Sequence, residues 1–177
     1  MADYPEQLVR KHFLFDGTQV TIRPVRPADA PMEQEFVRHL SEDSRYFRFM
    51  QDVPELSPGK LKQLTSVDYD RRMELVATVA HGGAELEIAD AMYAANPQAT
   101  ECEFAIAVDD AWQGSGVAGL LMIDLIEAAR SRGIKTMFGL VMANNHRMLK
   151  FVRQLGFSLA RHEEDLHTIV ATKRLAD

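Results

Sequence analysis

Phe104-Ala-Ile-Ala-Val-Asp-Asp-Ala-Trp-Gln-Gly-Ser-Gly-Val-Ala-Gly119 is the stretch on which the fold of this chain turns. It opens with a short apolar run, Phe104 to Val108, and passes through a glycine-rich turn. At Val117 it enters an apolar stretch of helical character. A glycine turn that leads from a strand into a helix leaves backbone N–H groups unpaired at the positive end of the helix dipole, where a phosphate can be held. A phosphorylated cofactor is therefore expected.

Gly114-Ser-Gly-Val-Ala-Gly119 also satisfies the G-x-G-x-x-G dinucleotide fingerprint, whose meaning depends on context. A dinucleotide fold places the first glycine directly after the strand and an acidic residue about 20 positions further on. Here Asp109 to Gln113 intervene, and the next apolar stretch, Ile134 to Met142, ends in Ala143-Asn-Asn145 without a carboxylate. A nicotinamide enzyme thus ranks third among the readings of this chain.

Gln113, Gly116 and Ala118 form a Gln-x-x-Gly-x-Ala pattern that resembles the pyrophosphate loop of the GNAT superfamily of acyl-CoA-dependent N-acyltransferases. Asn145-His-Arg-Met148, followed by Leu155-Gly-Phe157, resembles that superfamily's second cofactor-contacting segment. Two motifs in order, about 30 residues apart, are far more specific than either alone. Upstream, Thr18 to Asp29 and Val67-Asp-Tyr-Asp70 resemble the acetyltransferase domain of bacterial protein-lysine acetyltransferases, and the similarity runs from about Phe13 to Leu175. The resemblance implies an α/β (α+β) fold with a mixed, mostly antiparallel sheet flanked by helices. It also implies acetyl-CoA as cosubstrate and an amine as acceptor, either a protein lysine or a small molecule.

At 177 residues, 46% of them hydrophobic, the chain is long enough for one well-filled core and short for two, so one domain over residues 1–177 is expected. Cys102 is the single cysteine and can form no intrachain disulfide; no apolar signal segment precedes Pro5 and Glu6. A cytoplasmic setting follows as the expectation. The apolar run Val117 to Ile123 is too short to span a bilayer, and the net charge of −6 disfavours nucleic acid as a partner. A homodimer stays open, because nothing in the sequence identifies an interface.

Around the central stretch, Lys11 to Phe15 and Thr18 to Pro24 read as a hairpin about Asp16-Gly17. Asp29 is placed to cap a helix carrying Met32, Phe36 and Leu40, and Ser44 to Met50 and Lys60 to Thr65 read as two more. Glu74 to Val79 and Glu87 to Ala94 are expected strands joined at His81-Gly-Gly83, followed by a strand at Glu101 to Val108. The helix over Ser115 to Arg132 sets Asp124, Glu127 and Ser131 on a polar stripe opposite Leu121, Leu125 and Ala128, with Gly133 as its left-handed cap. The strand Ile134 to Met142, the helix Arg147 to Leu155, and strands at Phe157 to Leu159 and Leu166 to Thr172 complete the order.

A lysine-like amine has a pKa of about 10.4, so only roughly one in a few thousand is neutral and nucleophilic at pH 7. Something must take its proton. Period-two alternation puts Glu101 and Glu103 on one strand face with Ala105 and Ala107, opposite Cys102, Phe104, Ile106 and Val108. The resemblance assigns Glu103 as general base acting through water, with Glu101 as its competitor; a solvated strand carboxylate is the plain structural alternative.

The resemblance further directs backbone N–H groups near Ile106 and Val108 at the thioester carbonyl and pantetheine amides. It gives the pyrophosphate to the N–H groups of Gly114, Ser115, Gly116, Val117 and Ala118 beside Gln113, and assigns Asn145 to the pantetheine arm. Asn145 is otherwise a turn or helix cap. One departure stands out: the tyrosine that many members carry four residues before the Gly-Phe pair is Val152 here. A non-catalytic acyl-CoA sensor is therefore a second reading, and binding without turnover would distinguish it.

His162 and His167 flank Glu163-Glu-Asp165 without the spacing of a metal site, and no metal is expected. Cys102 and the methionines read as packing. Arg38, Arg45 and Arg48 read as a solvated helix face, with contact to substrate or cofactor phosphate as the alternative.

Overall fold

Nearly continuous burial along β3 (Arg72–His81) and β4 (Ala84–Ala95) marks strands covered on both faces, and they form the centre of an eight-stranded sheet. The computed structural model describes residues 2–176. β1 (Arg10–Phe13), β2 (Gln19–Pro24), β3, β4 and β5 (Glu101–Val108) follow one another antiparallel across the sheet. β5 then pairs in parallel with β6 (Thr136–Met142), and the order ends with β8 (Thr168–Arg174) and β7 (Ser158–Arg161), again antiparallel. This is the mixed, mostly antiparallel α/β arrangement expected from the sequence.

α1 (Ala30–His39), α2 (Glu42–Phe49) and α3 (Pro58–Thr65) lie between β2 and β3 in the chain. α4 (Val117–Ser131) makes the crossover that a parallel pair requires, and α5 (His146–Gln154) follows β6. The alternation of β5 divides the packing. Cys102, Phe104 and Ile106 join a core with Leu121, Met122 and Leu125 of α4, whereas Ala107 belongs to a smaller cluster with Phe36, Val37, Leu56 and Leu64. Each large apolar side chain so buried contributes about 1.5–3 kcal/mol.

Two carboxylates are placed differently from the sequence expectation. Asp124, placed on the polar stripe of the long helix, is only 6% exposed, because His12 Nε2 at 3.0 Å and Arg10 Nη1 at 3.3 Å meet its carboxylate from β1. Asp29 makes no side-chain bond into α1. Its carboxylate instead accepts two 2.8 Å bonds from the buried guanidinium of Arg23, and this pairing holds Arg23 protonated against the cost of burial. Cys102 is core, as expected; burial pushes its thiol up to about 12.

Candidate functional site

β5 and β6 form a short ladder and then part. Their partners are Glu101↔Thr136, Cys102↔Met137 and Glu103↔Phe138, whereas β5 stays paired to β4 as far as Val108↔Ala89. The ring of Phe104 sits in the fork, over Gly139 and 5.1 Å from the ring of Phe157. The Asp109 N–H donates to Ile88 O on β4, so by antiparallel alternation the N–H groups of Ile106 and Val108 turn the other way, into the gap. A cleft of about 850 Å³ opens there.

The turn before α4 forms one end of this cleft. Gly114 and Gly116 adopt φ of +79° and +95°, which a side chain would strain, and Gly116 stands as the N-cap of α4. Val117 and Ala118, in the helix's first turn, have no intrahelical acceptor for their N–H groups. Gln113 ties the turn to both walls: its Nε2 approaches Val108 O at 3.5 Å and its Oε1 accepts a bond from Arg147 on α5. Ser115 is engaged throughout: its N–H donates to Trp112 O, its carbonyl accepts from Phe15 N–H, and its Oγ accepts from Val117 N–H at 3.4 Å.

Of the residues singled out in the sequence, Ile106, Val108, Gln113, Gly114, Gly116, Val117, Ala118 and Asn145 line the cleft, while Ser115 and Glu103 do not. Glu103 is exposed at the last rung before the strands separate. Asn145 caps α5, its Oδ1 accepting from Met148 N–H at 3.3 Å, and it borders the cleft. Val152, at the position where many members carry a tyrosine, is fully buried in the core.

Asp110 is a residue that the sequence did not flag. Its carboxylate, just beyond β5, accepts from Ser41 N–H at 3.0 Å, Ser41 Oγ at 2.9 Å and Ser44 Oγ at 3.0 Å. Burial alone would push the Asp110 carboxyl up, but these bonds bring it below its ordinary value. They pin the N-terminus of α2 to the cleft, where Ser44, Phe47 and Arg48 form a wall.

Behind that wall lies a group of buried carboxylates. Glu33, Glu74, Glu87 and Asp90 are each 1–2% exposed, and none of their side chains finds a hydrogen-bond donor that satisfies both oxygens. Burial, and then the proximity of Glu33, pushes Glu74, Glu87 and Asp90 well above the usual carboxylate range. Arg48 is the nearest cation on the cleft side, its Nε 3.9 Å from Asp90 Oδ1. It is 9% exposed and thus does not belong to a solvated helix face. Glu33, Glu87 and Asp90 place oxygens within 4.8 Å of one another and are the described residues that could share a cation. Among the described residues, no helix is long and apolar enough to cross a membrane.

Comparison with known proteins agrees with this geometry. Residues 59–157 match the model of the acetyltransferase (GNAT) family. A protein of Pseudomonas aeruginosa named as an acetyltransferase is 36% identical over 157 residues, 89% of this chain and 84% of that protein. The acetyltransferase Pat of Mycolicibacterium smegmatis is 32% identical over 155 residues, and the match spans 45% of that longer protein. The crystal structure of the GNAT domain of S. lividans PAT superposes with a TM-score of 0.89 at 30% identity, covering 97% of this chain and 99% of that one.

Proposed function

This chain belongs to the GNAT acetyltransferase family and is an acyl-CoA-dependent N-acetyltransferase, and from that premise we propose that it moves the acetyl group of acetyl-CoA directly to a lysine side chain of a protein, with Glu103 as general base. The observation that carries this reading is the fork between β5 and β6, which opens next to Glu103 and runs to the glycine turn at Gly114–Gly116. The N–H groups of Gly114, Gly116, Val117 and Ala118 would hold the pyrophosphate, with Ser115 and Gln113 fixing the turn that presents them. Those of Ile106 and Val108 would meet the pantetheine amides and the thioester carbonyl, stabilising the oxyanion as the amine attacks.

Glu103 would take the amine's proton through a water, which suits its exposed position at the start of the gap. With Val152 in place of a tyrosine, the thiolate leaves unaided or takes its proton from water; a thiol pKa of about 8.5 permits either. The whole of residues 1–177 would act as one acetyltransferase domain in the cytoplasm. Protein lysine is the leading acceptor because of the likeness of Thr18 to Asp29 and Val67 to Asp70 to lysine acetyltransferases; a small-molecule amine is the rival.

Thiol release from acetyl-CoA against a panel of lysine peptides and small amines tests the acceptor. Turnover on peptides with little on free amines is expected. The reverse order would overturn the protein-lysine assignment, and binding without turnover on any amine would favour the sensor that the missing tyrosine also allows.

A further inference from the structure

Phe15 is the most exposed large apolar residue at the cleft. Its side chain is 87% exposed and still borders the cleft beside Gly116. It is not a loose tip. The Phe15 N–H donates to Ser115 O at 3.1 Å, Gly17 N–H returns to Leu14 O at 3.0 Å, and the Asp16 carboxylate accepts from Thr18 N–H at 2.9 Å. The far end of the ring rests on Gly116, where a Cβ would lie only 3.1 Å from Cζ and Cε2. Gly116 therefore serves twice, allowing the left-handed turn and leaving room for the ring.

We propose that Phe15 is the platform on which the purine base of the CoA nucleotide stacks. The inference rests on the reading of the glycine turn as the pyrophosphate site. A base lies one sugar away from the diphosphate, and Phe15 is the flat, water-exposed surface seated on that turn. On α5, Arg147 and Lys150 also border the cleft and bring positive charge to a ligand carrying further phosphate. A rigid aromatic face, an anion-binding turn and two cations around one cleft match a phosphorylated nucleoside. Phe15 lies in the N-terminal hairpin, outside the residues matched by the family model, so this contact is supplied by a separate part of the chain.

The test compares acetyl-CoA with acetyl-phosphopantetheine, which keeps the acyl arm and lacks the nucleotide. Both are titrated calorimetrically into the wild type, Phe15→Ala and Phe15→Tyr. Stacking on an aromatic side chain predicts that Phe15→Ala weakens acetyl-CoA by about 5- to 100-fold and leaves acetyl-phosphopantetheine unchanged, with Phe15→Tyr close to wild type. Equal weakening of both ligands would overturn the proposal by showing that the ring only shapes the Gly116 turn. No weakening of either would also overturn it and leave Phe15 to another partner. Failure of the wild type to bind either ligand would remove the acyl-CoA reading itself, a result distinct from both.

Discussion

The ring of Phe104 occupies the space above Gly139 in which a side chain would otherwise sit: a Cβ at Gly139 would lie 2.6 Å from the ring's Cζ. These residues stand one step beyond the last rung of the β5–β6 ladder, Glu103↔Phe138. At the mouth of the fork, the Phe104 ring thus fills the space left by the missing side chain of Gly139.

Gly139→Ala should force that ring to move. Overpacking of this kind costs about 1–3 kcal/mol, read as a lower midpoint in urea unfolding with an unchanged slope. Phe104→Leu combined with Gly139→Ala should recover part of the loss, because the two sites share one space. Additive losses in the double variant would show that the ring and the glycine are not coupled.

The buried carboxylates give stability an unusual pH dependence. Glu74, Glu87 and Asp90 titrate above their unfolded values of about 3.9–4.3, so between those values and the folded ones the native state holds protons that the unfolded chain has released. Stability contributed by these groups is thus present below about pH 4 and falls as pH rises through their folded values. Glu87→Gln and Asp90→Asn should raise the melting temperature at pH 8, by about 1–3 kcal/mol in stability, and flatten its decline from pH 5 to 8. Arg48→Met should do the opposite, with a larger loss at pH 8 than at pH 5. An unchanged pH profile in both carboxylate variants would contradict the assignment.

Asp110→Ala should free the N-terminus of α2 from the cleft. The expected result is a rise in the KM for the acceptor of several-fold, with acetyl-CoA affinity held within about twofold, measured by steady-state kinetics and calorimetry. Ser41 also caps α2, accepting from Ser44 N–H at 3.1 Å, so Ser41→Ala should cost about 1 kcal/mol of stability. Equal losses for acceptor and acetyl-CoA in Asp110→Ala would mean that the bonds from Ser41 and Ser44 to Asp110 support the whole cleft.

Much of the fold was legible because its signals are local. The strand at Glu101–Val108, the left-handed Gly133 and the three helices between β2 and β3 follow from alternation, glycine placement and helical spacing. The helix starts moved by a few residues, as with α4 at Val117 where Ser115 was expected. What escaped depends on long-range contact. Asp124 is polar and on a helix face, and only β1, more than a hundred residues earlier, explains its burial.

The carboxylate group escaped for a different reason. Glu87 and Asp90 are three residues apart, which strict alternation assigns to opposite faces. The register shifts between Ala77↔Ala89 and Thr78↔Glu87, leaving Ile88 as an extra residue that returns Glu87 to the face of Asp90. A bulge of this kind has no composition signal in Leu86-Glu-Ile-Ala-Asp90. The cleft was legible in its glycine turn and in Asn145, whereas Asp110 and Arg48 required the packing of α2 to be known.

The proposed acyl transfer at this fork turns on the Glu103 carboxylate as its base. The most direct measurement is calorimetric binding of acetyl-CoA to the wild type and Glu103→Gln, followed by thiol release with a lysine peptide from pH 6 to 9. Equal binding is expected, with a fall in kcat of about 10²- to 10⁴-fold in the variant, lessened as rising pH deprotonates the amine without help. Full turnover by Glu103→Gln at pH 7 would contradict it.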